Sequence, residues 1–91
     1  MTVTASGGGL NSDSSRNTSG GTGAGANFNA SAADNTLLGY NAGNDITSAI
    51  QSTFVGAYAG ETQTSGSNNT GIGFNALADV STGNGLSLIH I

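Results

Sequence analysis

Apolar and polar positions recur along this chain at a fixed interval. Three copies follow one another without a gap over residues 35–51, 52–68 and 69–85, as NTLLGYNAGNDITSAIQ, STFVGAYAGETQTSGSN and NTGIGFNALADVSTGNG. Each copy has a threonine in second position, a large aliphatic residue two positions later, a glycine next to it, and an alanine three positions after the glycine. Because this phase holds three times, the pattern predicts a repetitive architecture and not a low-complexity linker.

Each copy is predicted to form one coil of an all-β, parallel β-roll or β-solenoid. A 17-residue unit is too short for a helical-hairpin repeat, which needs roughly 30 residues or more, and it is rich in residues that disfavour helices. Alternate side chains of a strand face opposite sides, so Thr36 and Leu38 share a side and Leu37 faces the other. We expect the aliphatic and alanine columns to form the core and the glycines to form turns. The predicted core residues are Leu38, Val55, Ile72, Ala42, Ala59 and Ala76, and the predicted turn residues are Gly39, Gly56 and Gly73.

Stacking of coils at a strand spacing of about 4.8 Å turns each column into a ladder. The first position of each copy, occupied by Asn35, Ser52 and Asn69, predicts a polar ladder. With the aliphatic column inside, the remaining large residues face outward, and an apolar stripe of this kind marks an interface. We therefore expect self-association, with capping of turns by the rings as the alternative. The candidate interface residues are Leu37, Phe54, Tyr40, Tyr58 and Phe74.

The segments outside the three copies differ from them in pattern. Residues 1–20 are rich in Gly and Ser and have no period, which predicts a flexible lead-in. Residues 21–34 resemble a shorter, eroded copy, because Thr22, Gly25 and Asn27 align with the repeat.

The last six residues, LSLIHI at 86–91, stand where the repeat requires an Asn-Thr pair. They match the translation of a transposon-end adapter used in short-read sequencing libraries. We interpret them as adapter-derived and the chain as a fragment, and we expect the repeat to resume after Gly85 in the parent gene. The alternative is a natural terminal strand.

Composition and charge exclude several function classes. Only 7% of the residues are charged and the net charge is −4, with Arg16 as the single basic side chain apart from one histidine. Nucleic acids and anionic membranes attract basic proteins, so we expect neither as a partner. No segment approaches the roughly 20 apolar residues of a membrane span, so membrane insertion is not expected.

No catalytic or cofactor-binding constellation is predicted either. GIGFNA at 71–76 matches a dinucleotide fingerprint, but the other copies have Leu37 and Phe54 at its first glycine, and no helix is predicted after it. The chain contains no cysteine, and its one histidine lies in the last six residues. We therefore expect no enzyme, no cofactor and no metal site.

The pattern N-T-x-[LVI]-G-[YF]-N-A resembles the head repeats of trimeric autotransporter adhesins and is similar to repeats of phage tail-fibre proteins. The resemblance covers 35–85 and rests on Asn35-Thr36, Leu38-Gly39, Asn41-Ala42 and their equivalents in the next two copies. It implies a left-handed parallel β-roll, a homotrimer, and a role as a shaft or head that reaches a cell surface. Adhesin head repeats are typically shorter than these copies, so the longer unit favours the tail-fibre group.

The expected function is that of a structural shaft or adhesion segment of a phage tail fibre, or of a related fibrous surface protein, that holds a receptor-binding tip. The expected location is the tail fibre of the virion, and the expected partners are copies of the chain and a host-surface glycan or protein. One alternative is a receptor- or glycan-contacting head of a trimeric autotransporter on the bacterial surface. Another is an ice-binding solenoid, although only Thr62-Gln63-Thr64 forms the T-x-T array expected there.

Overall fold

The computed structural model describes residues 10–89, which form a β-solenoid of about four turns with 17-residue spacing and no helix. One sheet contains all the strands, which lie side by side in chain order. The strands are β1 (Asn11–Ser12), β2 (Thr18–Gly20), β3 (Thr36–Leu38), β4 (Thr53–Val55), β5 (Thr70–Ile72) and β6 (Ser87–Ile89). From β2 onward all neighbours are parallel and in register, so that Thr36 lies opposite Thr53 and Thr53 opposite Thr70. The predicted all-β repeat architecture is confirmed, and the described residues contain no helix that could cross a membrane.

Glycine ends the central strands of the sheet, β3, β4 and β5. Gly39, Gly56 and Gly73 have φ of 127°, 129° and 118°, a region that side chains rarely adopt. Space is equally restrictive, because a Cβ added to Gly56 would lie 2.6 Å from the carbonyl oxygen of Gly73. The coils can therefore stack at strand spacing only while this column lacks side chains.

The structure reverses the predicted faces of the strands. Leu37 and Phe54, predicted to face outward, are fully buried, and the middle residue of β3, β4 and β5 is buried in each case. The predicted core column is wrong: Leu38, Val55 and Ile72 lie on the opposite side and are only half-buried. A three-residue strand has one side chain on one face and two on the other. The narrow interior accepts the single side chain, and the pair faces outward.

The interior column varies in size because a second column compensates for it. Leu37 is followed six residues later by Gly43, where a Cβ would lie 2.7 Å from a methyl carbon of Leu37. Gly60 stands in the same relation to Phe54, at 2.5 Å from its ring. In the next coil the sizes are exchanged. Gly71 is the interior residue of β5, and Leu77, six residues later, packs against the core.

Alanines and one isoleucine complete the apolar part of the interior. Ala42, Ala59 and Ala76 have no exposed surface, and the same is true of Ile46 and of the alanines on the far side of two coils, Ala32 and Ala49. The positions predicted as the tight inner column are thus buried, in contrast to the aliphatic column.

An additional coil precedes the three predicted copies. It spans 17–34 and pairs with the next coil through Thr18 and Thr36, so it is one residue longer than the later coils. The lead-in predicted over 1–20 is therefore wrong for 11–20, which contain β1 and β2, whereas residues 1–9 lie outside the described part. The copy predicted over 21–34 begins four residues too late. Asn17-Thr18 and Gly21, with φ of 105°, are the signals that place it correctly.

Residues 87–89 continue the ladder as β6, in register with β5, and all three are exposed. His90 and Ile91 lie outside the described residues. The adapter origin of 86–91 stays a prediction, since any chain with alternating free N–H and C=O groups can pair with an open strand.

The turn glycines give a matched pair of substitutions. Gly56→Ala should lower the free energy of unfolding by about 3 kcal/mol, because the new methyl group overlaps the backbone of the next coil. Gly85→Ala should cost about 1 kcal/mol, because Gly85 also has a positive φ of 68° but has open space around it. Urea unfolding followed by circular dichroism measures both. Equal losses would show that conformation alone, and not close stacking, requires Gly56.

Candidate functional site

A ladder of buried polar side chains runs through the solenoid from coil to coil. Asn17, Asn35, Ser52 and Asn69 have at most 2% of their surface exposed. The side-chain oxygen of Asn17 accepts the backbone N–H of Asn35 at 3.0 Å, and that of Asn35 accepts the N–H of Ser52 at 3.0 Å. Asn69 accepts the N–H of Leu86 at 2.8 Å in the same way. The polar ladder predicted from the first column is present, and it joins each coil to the next.

The amide nitrogens of the same asparagines close their own coils across the interior. Asn35 donates from Nδ2 to the carbonyl oxygen of Ala49 at 2.9 Å, and Asn69 donates to that of Gly83 at 2.7 Å. A buried side-chain amide without hydrogen-bond partners lowers the stability of the fold by about 1–3 kcal/mol. Each asparagine amide has two donor and two acceptor positions that need partners. Both ends of the side chain are used, which explains why asparagine recurs in this column.

Ser52 breaks the asparagine column, and the coil that it begins has Gln63 in its interior. Serine has no amide group that could donate across the interior to the far side of its coil. The side chain of Gln63 lies in the interior of this coil and has no exposed surface. Gln63 accepts from Nδ2 of Asn69 at 2.9 Å and donates from Nε2 to the carbonyl oxygen of Ser81 at 3.1 Å. The coils that begin with asparagine have Ile46 and Val80 at the position of Gln63. A short polar residue in the first column is thus paired with a long polar residue eleven positions later.

The outward residues of the strands form a second set of ladders, which we call the outer sheet face. Its members are Thr36, Thr53, Thr70, Leu38, Val55 and Ile72. The face contains no charged residue. Most of its members are half-buried, since each side chain is flanked by its equivalents in adjacent coils. The apolar column extends to the first coil, where the Leu10 side chain lies over Gly20.

Three aromatic rings form a line beside the turn glycines, which we call the aromatic ridge. The rings of Tyr40 and Tyr58 are 5.5 Å apart at 78°, and those of Tyr58 and Phe74 are 5.8 Å apart at 89°. Such edge-to-face pairs contribute about 0.5–1.5 kcal/mol each beyond burial. Tyr58 has a φ of 64° at a position where the other copies have asparagine. The ring contacts offset the strain of this left-handed tyrosine.

The candidate interface predicted from the sequence is therefore divided by the structure. Leu37 and Phe54 belong to the interior, whereas Tyr40 and Phe74 are 49% and 58% exposed. The aliphatic column of the outer sheet face is the surface that the sequence reasoning missed. The sequence signal for this column is that it is aliphatic in all three copies, whereas the interior column changes from Leu37 to Phe54 to Gly71.

The threonine hydroxyls of the predicted T-x-T array donate hydrogen bonds to backbone carbonyl groups. Thr62 donates from its hydroxyl to the carbonyl oxygen of Ala78, and Thr64 donates to that of Ser81 at 3.2 Å. These hydroxyls are therefore held by the next coil and do not form a free polar array on the surface.

The dinucleotide fingerprint and the candidate metal ligands can both be located in the described part of the chain. Residues 71–76 lie on β5 and the turn after it, so no helix N-terminus follows the glycines to receive a phosphate. Among residues 10–89, no group of three or more acidic or histidine side chains comes close enough to hold a metal ion.

The pairing of Ser52 with Gln63 can be tested by a double-mutant cycle. Gln63→Ile alone should cost about 1 kcal/mol, because it removes the Oε1 acceptor of the buried Asn69 amide and one of the donors to the carbonyl of Ser81. Ser52→Asn alone should cost about as much through crowding against Gln63. The double variant recreates the Asn35–Ile46 combination and should recover at least about 1 kcal/mol relative to the sum. Additive losses in urea unfolding would contradict the compensation.

Comparisons with known proteins identify no relative of this chain. No protein-family model matches it, and neither the curated proteins nor the solved structures contain a match. The functional argument therefore depends on the geometry of the solenoid and its surfaces.

Proposed function

We propose that this chain is a shaft segment of a fibrous surface protein, a phage tail fibre or a relative of one, that holds a receptor-binding tip away from the particle. The in-register stacking of equivalent coils carries this proposal. Each coil adds a fixed rise, and main-chain bonds such as Gly56 N to Leu38 O at 2.7 Å link successive coils. A rod built this way is stiff, and its length is set by the number of coils.

Self-association through the outer sheet face is part of this proposal. The face is uncharged, apolar in one column, and continuous along the rod, which is the pattern of an interface and not of a solvated surface. The resemblance to trimeric fibre repeats makes three chains side by side the proposed assembly. Leu38, Val55 and Ile72 take the place of Leu37 and Phe54 as proposed contact residues.

The second candidate function is that of a receptor- or glycan-contacting head, and the exposure of Tyr40 and Phe74 favours it. The edge-to-face arrangement of the rings weighs against this candidate, because it offers no continuous flat platform for sugar rings. An ice-binding role has less support, since the T-x-T hydroxyls donate to backbone carbonyls.

A shaft should accept additional coils. Duplication of residues 35–51 directly after Gln51 should lengthen the particle by about 4.8 Å and leave the thermal transition at least as high. In that position Leu37 already lies beside the large Phe54, and Asn35 already bonds to a preceding asparagine. The control is an insertion of the same segment in scrambled order, which should lower the transition. Small-angle scattering and calorimetry measure both effects.

The head candidate predicts a different result for binding of the chain to cells. Labelled chain should show no saturable binding to bacterial cells if it is a shaft. Saturable binding that is lost in Phe74→Ala would contradict the shaft and support the head.

Val55→Glu should prevent self-association by placing a charge in the outer sheet face, and the chain should remain folded because Val55 lies outside the interior. Ser65→Glu adds the same charge at an exposed position away from that face and should have no effect. Light scattering of the eluting species gives the mass. A mass that is unchanged by Val55→Glu, or a wild-type monomer at all concentrations, would contradict the proposed interface.

A further inference from the structure

Strand β1 differs from every other strand because it runs antiparallel to its neighbour. Asn11 lies opposite Ser19, and Ser12 lies opposite Thr18. It therefore covers the edge of β2, where a parallel preceding coil would otherwise pair. Short antiparallel segments with polar outer residues are one way in which proteins protect sheet edges, and here the residues from Asn11 to Arg16 are all polar.

Asp13 reproduces the main-chain bond that a preceding coil would make. In the stack, Thr36 donates its N–H to the carbonyl oxygen of Ser52 at 2.9 Å, and each coil repeats this bond at the equivalent threonine. The carbonyl oxygen of Asn17 is the equivalent acceptor at the N-terminal end. It accepts the N–H of Asp13 at 3.2 Å.

Asp13 also reproduces the side-chain bond of a preceding coil. The internal ladder ends at the N–H of Asn17, which in a longer stack would donate to a preceding asparagine. It donates to Oδ1 of Asp13 at 3.0 Å, the same length as the bond from Asn35 N–H to Asn17. Nδ2 of Asn17 donates to Oδ2 of Asp13 at 3.0 Å as well. Asp13 thus replaces two of the hydrogen bonds that a preceding coil would make with the first coil.

An ion pair joins the turn between β1 and β2 to the end of the first coil. Arg16 donates from Nε to Asp34 at 2.6 Å and from Nη2 at 3.0 Å, and the N–H of Asp34 donates to the carbonyl of Ser15 at 3.1 Å. The hydrogen bond from Arg16 lowers the pKa of Asp34 below its usual value, so the pair keeps its charges at neutral pH. Both side chains are exposed, so the pair positions the hairpin without contributing much to stability.

β6 lies at the side of the sheet opposite β1. Thr70 donates its N–H to the carbonyl of Leu86, so alternate residues of β6 face β5 and Ser87 faces away from it. β6 is the last strand of the sheet among the described residues, and all of it is exposed. This edge presents the groups that a following coil would use.

We propose that residues 10–17 form an end cap that mimics a preceding coil and keeps the exposed strand edge at the far side of a second copy, which is β6 in this chain, from adding to β2. The two edges belong to one parallel, in-register sheet, so they are complementary in pattern and direction. When the cap opens, Ser87 of the second copy donates to the Asn17 carbonyl in place of Asp13. A contact of this head-to-tail kind does not close on itself and builds a filament.

Asp13→Ala tests the proposal because it removes both carboxylate acceptors. Sedimentation velocity at increasing concentration should show growth of the variant to species at least twice the mass of the wild type, and electron microscopy should show end-to-end filaments. Asp13→Asn keeps the acceptor for the Asn17 N–H but turns an NH2 group toward Nδ2 of Asn17, so it should grow less than Asp13→Ala. Asp79→Ala removes the same charge at an exposed position and should not grow either.

A second substitution at the opposite edge identifies the contact. Ser87→Pro removes the N–H that faces away from β5 and should abolish growth in the Asp13→Ala protein. Growth that persists with Ser87→Pro would overturn the proposal, as would a folded Asp13→Ala protein that keeps the wild-type mass at all concentrations. If Asp13→Ala does not fold, Arg16→Ala loosens the cap without disturbing a buried contact, and it should grow in the same way but less. Both series are carried out in the Val55→Glu background, so that failure of the proposed lateral interface does not affect the result.

Discussion

Everything in this protein depends on coils that stack at the spacing of hydrogen-bonded strands. Each coil lies directly on the next. The nearest neighbours of a residue are therefore the equivalent residues of the adjacent coils. The glycine column shows how strict this is, since a single Cβ at Gly56 would lie 2.6 Å from the next coil's backbone. The hydrogen bonds of the backbone therefore set the spacing of the coils, and this spacing limits which side chains fit at each position.

A narrow interior follows from this constraint. Three-residue strands deliver one inward side chain each, and alanines fill the turns, so little apolar surface can be buried. Asparagine in the interior contributes what apolar contacts cannot, because one amide joins a coil to its neighbour and to its own far side. One coil has Ser52 and Gln63 where its neighbours have an asparagine and an aliphatic residue, and its buried polar side chain is hydrogen-bonded to the next coil.

The surfaces of the solenoid inherit the same periodicity. Threonine and aliphatic columns on the outer sheet face repeat along the rod, and the aromatic ridge follows the turns. Such surfaces suit partners that are themselves extended, which is why the proposed function is mechanical. The same repetition favours unwanted association at an exposed strand edge, because such an edge can pair with a strand of another chain. At the first coil, Asp13 occupies the hydrogen-bonding groups of Asn17 through its backbone N–H and its carboxylate.

The sequence by itself determined the period, the parallel in-register stack, the polar ladder and the positive-φ glycines, because these depend on spacing along the chain. Only the tertiary structure decided which face of the strands is inside. Leu37 and Leu38 are equally apolar neighbours, and the choice between them depends on compensation by Gly43, Gly60 and Leu77, which no column shows alone. The first coil and its cap also required the structure, since Asn17 is offset by one residue and Asp13 acts through contacts that no repeat predicts.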